Sequence, residues 1–276
     1  KRQGMTYRLT ILGCGPSGGV PRLGPDWGNC EPSNPKNRRR RCSVLVDRFD
    51  KNARTSVLVD TSPDLREQLI DARVRSLDGV LFTHDHADHT HGIDDLRMVC
   101  FAMRRRVNVY FDAATKDSLI ARFGYCFLQQ EGSGYQPILK ANDIVAGERV
   151  DVAGAGGKIS ALAVPQLHGE LPSLGFRFGK LAYSPDISGF PDGAADLLEG
   201  LDVWIVDALR YSPHVSHFHV KRALEWIERL KPKRAILTHM TPQLDYDALM
   251  RELPEGVEPA YDGMTIEFDG NANSHP

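Results

Sequence analysis

The chain has 276 residues, 41% of them hydrophobic and 25% charged, with a formal net charge of −2. That composition excludes a disordered or collagen-like chain, and the charge balance lacks the footprint of a nucleic-acid binder. Five cysteines (14, 30, 42, 100 and 126) are odd in number and form no CxxC pair, which points to reduced thiols rather than a disulfide framework.

Residues 1–5 lead into the first strand without an apolar leader-like run. No apolar stretch approaches the roughly 18 residues of a membrane span, so a cytoplasmic protein with no membrane partner is expected. Residues 9–12 read as a short buried strand. It ends in the glycine-rich loop 13–19, which lacks both GxxxxGK[ST] and GxGxxG and is expected to approach a site with its backbone. A long polar loop follows over 21–41. Residues 43–46 and 56–60 read as paired strands, and 64–74 as a helix with Ser62 as N-cap and Pro63 at its first position. Residues 78–82 form a further buried strand, followed by βα-type segments through 107–111 and 116–123. Most of 137–178 is strand. A strand at 203–207, a helix at 216–230 and a strand at 234–238 complete an alternation of the α/β class.

The strand at 78–82 delivers the chain into Thr83-His84-Asp85-His86-Ala87-Asp88-His89, an H-x-H-x-D-H pattern. In extended backbone His84 and His86 fall on one side and can reach one ion. Asp88 and His89 sit where the chain turns into a helix and can face a second ion. Imidazole with carboxylate suits zinc, manganese or iron rather than calcium. Four ligands do not close two sites. His168, Asp186 and His239 each follow a strand-like segment, and a carboxylate such as Asp186 can bridge two ions about 3.5–4 Å apart.

These residues resemble the metallo-β-lactamase superfamily, and the resemblance covers almost the whole chain. The segments 12–21, 40–43 and 183–188 are similar to its phosphodiesterase branch, which holds the phosphoribosyl 1,2-cyclic phosphate phosphodiesterases and the tRNA 3′-endonucleases. The resemblance implies an α/β fold, the metallo-β-lactamase αβ/βα four-layer sandwich, as a single domain over 1–276 with metals at the edge between the sheets. It implies that His84, His86 and His168 hold one ion, that Asp88, His89 and His239 hold the other, and that Asp186 bridges. Two divalent transition-metal ions, manganese or zinc, follow as cofactors. The branch's cyclic phosphodiesterase has a cysteine-clustered structural zinc in its early loop. Residues 27–32 keep only Cys30, with Cys42 beyond, so a third, structural ion is not expected.

Residues 211–219 place His214, His217 and His219 at the start of the helix read over 216–230, where free N–H groups suit a phosphate. By the resemblance His217 contacts the scissile phosphate or protonates the leaving oxygen, so Asp88 and His217 are the catalytic candidates. His214 joins His217 as a substrate contact, while a cap or solvent-facing role is the plainer reading of His214 or His219. Arg210 and the run Arg38 to Arg41, Arg41 above all, are candidate phosphate clamps, with a solvated loop as the equal alternative for the run. Arg104 to Arg106 read as a helix C-terminus. Asp60 reads as a support for the metal loop.

The function expected is hydrolysis of a phosphodiester or cyclic phosphate in a small, nucleotide-like substrate, with a homodimer allowed. The tRNA 3′-endonuclease is the nearest alternative, but the sequence lacks a long basic insertion, so a large nucleic acid is not favoured. A thioester hydrolase of the same fold and a β-lactamase rank lower. A metal-dependent binding protein without turnover is the reading from another class. The complete ligand set beside a candidate acid favours an enzyme.

Overall fold

The computed structural model describes residues 6–270. The polar lead-in read over residues 1–5 lies outside them. The first half of the chain forms β1 (Thr6–Gly13), β2 (Ser43–Asp50), β3 (Ala53–Val59), α1 (Leu65–Asp71), β4 (Gly79–Leu81), α2 (Ala87–Thr90), α3 (Leu96–Met103), β5 (Val107–Phe111), α4 (Ala113–Phe127) and β6 (Leu139–Asp143). The second half forms β7 (Arg149–Val152), β8 (Ile159–His168), β9 (Leu171–Phe178), β10 (Leu181–Ser184), β11 (Val203–Asp207), α5 (Val220–Leu230), β12 (Arg234–Thr238), α6 (Tyr246–Glu252), β13 (Val257–Pro259) and β14 (Thr265–Phe268).

Among the described residues the strands form two seven-stranded sheets, ordered β14-β1-β2-β3-β4-β5-β6 and β13-β12-β11-β10-β9-β8-β7. Each is antiparallel over one part, β14-β1-β2-β3 and β10-β9-β8-β7, and parallel over the other. The alternation of apolar residues explains the layering. Val44, Val46, Val57 and Val59 join the core shared with Phe176, Tyr183 and Ile205 of the other sheet. Leu45 and Leu58 point the opposite way, into a second core with Leu65, Leu96 and Leu119 from α1, α3 and α4. Helix, sheet, sheet, helix is the four-layer arrangement expected. No helix among the described residues is long and apolar enough to cross a membrane.

Two helix starts differ from the sequence reading. α1 begins at Leu65, because the Ser62 hydroxyl turns back to accept from the Asp64 N–H (3.1 Å) and donate to Gln68 (2.8 Å). Residues 63 and 64 are therefore held in a turn, and Ser62 does not cap the helix. The second helix, read over 216–230, starts only at Val220. Residues 211–219 are irregular because the Phe218 N–H donates to the Ile187 carbonyl and the Phe218 carbonyl accepts from Leu209. Those long-range bonds outcompete the helical ones.

Gly92 follows the metal loop where the chain crosses the Ser62 turn. A Cβ there would lie 2.0 Å from the Ser62 carbonyl oxygen and 2.9 Å from Leu65 Cβ. Backbone must move to admit it, so Gly92→Ala should lower the unfolding free energy by about 1–3 kcal/mol, as overpacking of cores does. A denaturant midpoint unchanged from wild type would show that the turn yields freely.

Candidate metal centre

Parallel strands aligned in register present their C-terminal ends at one edge, and the centre is assembled there. Ser184, Val206 and Leu237 pair across β10, β11 and β12, and Asp207 pairs with Thr238. The chain beyond these ends supplies Asp186 and His239. From the other sheet, β4 leads into His84 and His86, and α2 carries Asp88 and His89. His168 closes β8.

All seven expected ligands converge. The ligand atoms of His84, His86, His168 and Asp186 lie within 4.8 Å of one another, as do those of Asp88, His89 and His239. The two oxygens of Asp186 divide between these sets. Oδ2 lies 3.9 Å from His84 Nε2 and 3.7 Å from His168 Nε2. Oδ1 lies 3.0 Å from His89 Nε2 and 3.5 Å from His239 Nε2. Asp88 Oδ2 stands 3.6 and 3.7 Å from the same two nitrogens. A third grouping, Asp186, His217 and His239, overlaps both.

The partners of the rings decide which nitrogens face inward. His168 Nδ1 lies 2.6 Å from the Ser216 carbonyl and His89 Nδ1 2.7 Å from Asp60 Oδ2, contacts that favour a proton on Nδ1 and a lone pair on Nε2. His84 Nδ1 lies 2.9 Å from the Thr83 hydroxyl, which itself donates to Asp60 (2.8 Å). The inward atoms His84 Nε2, His89 Nε2, His239 Nε2 and Asp186 Oδ1 are buried without a hydrogen-bond partner. Buried polar atoms are rarely left so, and lone pairs converging from imidazole and carboxylate fit a divalent transition-metal ion.

The electrostatics agree. Burial holds His168 down to about 4 and His84 well below its ordinary value, leaving both as neutral donors. Burial also acts against a charge on His89, but the carboxylates of Asp186, Asp88 and Asp60 outweigh it and raise that ring well above its usual range. Burial opposes ionisation of Asp186, yet the rings of His239, His89 and His84 hold it well below the usual carboxylate range. The centre favours a cation.

Asp60, 0% exposed and in the left-handed region (φ 64°), bonds His89, the Thr83 N–H and the Thr83 hydroxyl. It supports the metal loop as the sequence suggested. Asp60→Asn should weaken metal retention by about 10–100-fold, the usual effect of removing such a support. Titration against a competing chelator measures this, and unchanged affinity would remove Asp60 from the centre.

His217 stands at the rim with Nε2 3.9 Å from Asp186 Oδ2, and its Nδ1 is 2.7 Å from Asp207 Oδ2. Asp207 was not singled out from the sequence, although it ends the apolar strand 203–206, the same strand-end position that flagged Asp186 and His239. Burial pushes the Asp207 carboxyl well above its ordinary value and holds His217 below its own. The His214 ring lies 5.2 Å from that of His217. Arg210, half-buried, bonds the carbonyls of Ser212 and Pro213 and thereby shapes the segment carrying both histidines. His219 sits at the α5 N-cap with no side-chain capping bond.

The arginine run separates into four different environments. Arg38 is exposed, Arg39 is 1% exposed, Arg40 pairs with Asp71 and Asp262, and Arg41 pairs with Asp64 at 2.9 Å. The ion pair of Arg41 is thus made with Asp64, outside the cluster.

A family model described as a beta-lactamase superfamily domain matches residues 55–240. A diphosphatase of the PhnP family, known from its crystal structure, is 35% identical; the match covers 96% of this chain and 98% of that one, with a TM-score of 0.85. The short form of human tRNase Z is 18% identical, over 94% and 98% of the two chains, with a TM-score of 0.61, a likeness of fold. An octanoyltransferase of Porphyromonas gingivalis is 30% identical over 264 residues, 95% of this chain. The chain spans 52% of that relative's length.

Proposed function

The chain belongs to the beta-lactamase superfamily as a hydrolase of the metallo-β-lactamase fold, and from that premise we propose that it is a dinuclear metal-dependent phosphodiesterase acting on a small, nucleotide-like substrate. The observation that carries the proposal is the division of Asp186: one oxygen faces His84 and His168, the other His89 and His239. A single carboxylate facing two ligand sets suits two ions, manganese or zinc. Bound there, they would lower the pKa of a water and offset charge on phosphoryl oxygens.

The chain's own residues supply the remainder. His84, His86, His168, Asp88, His89, His239 and Asp186 hold the ions. Asp207 fixes the His217 ring so that Nε2 is directed toward Asp186, beside the place where a phosphate would sit. From Nε2 a proton passes to the departing oxygen. His214 and Arg210 contact the substrate at the rim, and Arg41 reaches it only by releasing Asp64.

The PhnP-family diphosphatase supports a phosphorus-centred substrate, being similar over nearly its whole length. The likeness to tRNase Z keeps a tRNA 3′-end as the second reading. The acyl transfer named for the Porphyromonas gingivalis protein belongs to a chain about twice as long. Here all five cysteines are buried, so none offers an exposed thiol to carry an acyl group.

The test is turnover by the metal-reconstituted protein. Nitrophenol release from bis(p-nitrophenyl) phosphate should depend on added zinc or manganese and stop with chelator. A panel of cyclic phosphates, dinucleotides, diphosphate diesters and a tRNA precursor then ranks substrates by kcat/KM. Hydrolysis of thioesters with none of these phosphorus substrates turned over would overturn the proposal.

A further inference from the structure

Arg39 is among the largest fully buried side chains, yet it carries a permanent charge. Its compensation comes from oxygen atoms of one short segment rather than from a paired carboxylate. Nη1 donates to the carbonyls of Thr241 (3.2 Å) and Met240 (3.5 Å), and Nη2 to that of Leu244 (2.6 Å). Nη2 also reaches Asn37 Oδ1 (3.3 Å), and Asn37 in turn accepts from the Tyr246 N–H (2.8 Å) and donates to Asp245 (2.7 Å). Five residues between 240 and 246 thus hang on one guanidinium and the amide beside it.

That segment begins where His239 leaves β12. His239 has φ 59°, a left-handed conformation uncommon for residues other than glycine. The amide side of the turn is held by Met240 N–H to the Cys14 carbonyl and Thr241 N–H to the Leu209 carbonyl, each 3.0 Å. On the carbonyl side the Asn29 N–H donates to the Pro242 carbonyl (2.8 Å), and Arg39 takes the carbonyls of Met240, Thr241 and Leu244. Met240 and Leu244 are 0% exposed and Thr241 6%, so water does not readily replace a lost donor. Burying an unpaired cation is unfavourable in itself. What the guanidinium secures is geometry: a planar fork ties the Met240 and Thr241 carbonyls to that of Leu244 across the turn that the Leu244 N–H closes on the Thr241 carbonyl (3.1 Å).

We infer that Arg39 is a positioning residue for the Asp88–His89–His239 half of the centre, fixing the turn from which His239 projects. The inference rests on the reading of His239 as a ligand. It predicts an asymmetry, because His84, His86 and His168 come from the ends of β4 and β8, which Arg39 does not bond.

The experiment is zinc titration of the full chain against a chromophoric chelator, with melting measured in chelator and in zinc. Arg39→Gln removes the charge and the fork; Arg39→Lys keeps the charge alone and provides a second, milder variant should the first fold poorly. In both, one ion should bind within about 3-fold of wild type and the other, the one that His239→Ala also weakens, at least about 10-fold less tightly, in the range seen when a ligand's support is lost. The zinc-induced rise in Tm should shrink as well. Equal weakening of both ions, or unchanged affinities with only the metal-free Tm lowered, would overturn the inference and leave Arg39 a general strut. His239→Ala is the control for the underlying reading. If that variant still binds two ions as wild type does, the assignment of the centre fails, independently of Arg39.

Discussion

Asp186→Ala should lose turnover and metal together. The carboxylate is 2% exposed and its two oxygens face different ligand sets, so in the proposed dinuclear centre its removal would take one donor from each ion at once. The rings of His84, His89, His168 and His239 would then crowd a cation with one fewer negative charge among them. Metal ions contribute several kcal/mol to stabilising a phosphoryl transition state. At about 1.4 kcal/mol per factor of ten, that corresponds to a fall in kcat of roughly 10³-fold or more. Elemental analysis after dialysis should show both ions depleted from a value near two per chain. Loss of a single ion would assign Asp186 to one site, and full metal with near-normal turnover would remove it from the centre. Asp186→Asn tests the charge at nearly constant volume and should resemble the alanine variant in metal retention.

His217→Ala should separate chemistry from metal binding. His217 lies beside the cluster but is oriented by Asp207 through Nδ1, which leaves Nε2 for the substrate. The variant should keep both ions and lower kcat by about 10²–10⁴-fold on a diester with a poor leaving group, the range of general acid–base catalysis. Nitrophenolate departs with little help from an acid, so a much smaller loss on bis(p-nitrophenyl) phosphate marks proton donation as the role. An equal loss on both substrates marks phosphate positioning. Loss of an ion would instead make His217 a ligand, as the Asp186–His217–His239 grouping allows. Asp207→Asn should follow the His217 variant in direction with a smaller loss, since the ring remains but its tautomer and orientation are no longer set.

The H-x-H-x-D-H run after the buried strand at 78–82 supplied four of the seven proposed ligands by itself, because extended backbone places alternate residues such as His84 and His86 on one side. The strand-end positions of His168, Asp186 and His239 were legible for a similar reason: apolar runs and their ends are local patterns. So was the α/β class, which follows from the alternation of strands and helices, while the four-layer arrangement was implied by the family resemblance. Other features depended on contacts between residues far apart in the chain. The helix read from 216 begins at 220, because Ile187 and Leu209 compete for the backbone of Phe218. Asp207 joined the site only through the register of β11 beside β12, which carries it to the edge where His217 arrives. The arginine run looked uniform, and tertiary packing sent Arg39 inward to the carbonyls at 240–244 and Arg41 to Asp64. A pattern repeated every two or three to four residues is set by backbone geometry and shows in the sequence. A bond across two hundred residues is set by how the sheets stack, and only the folded chain decides it.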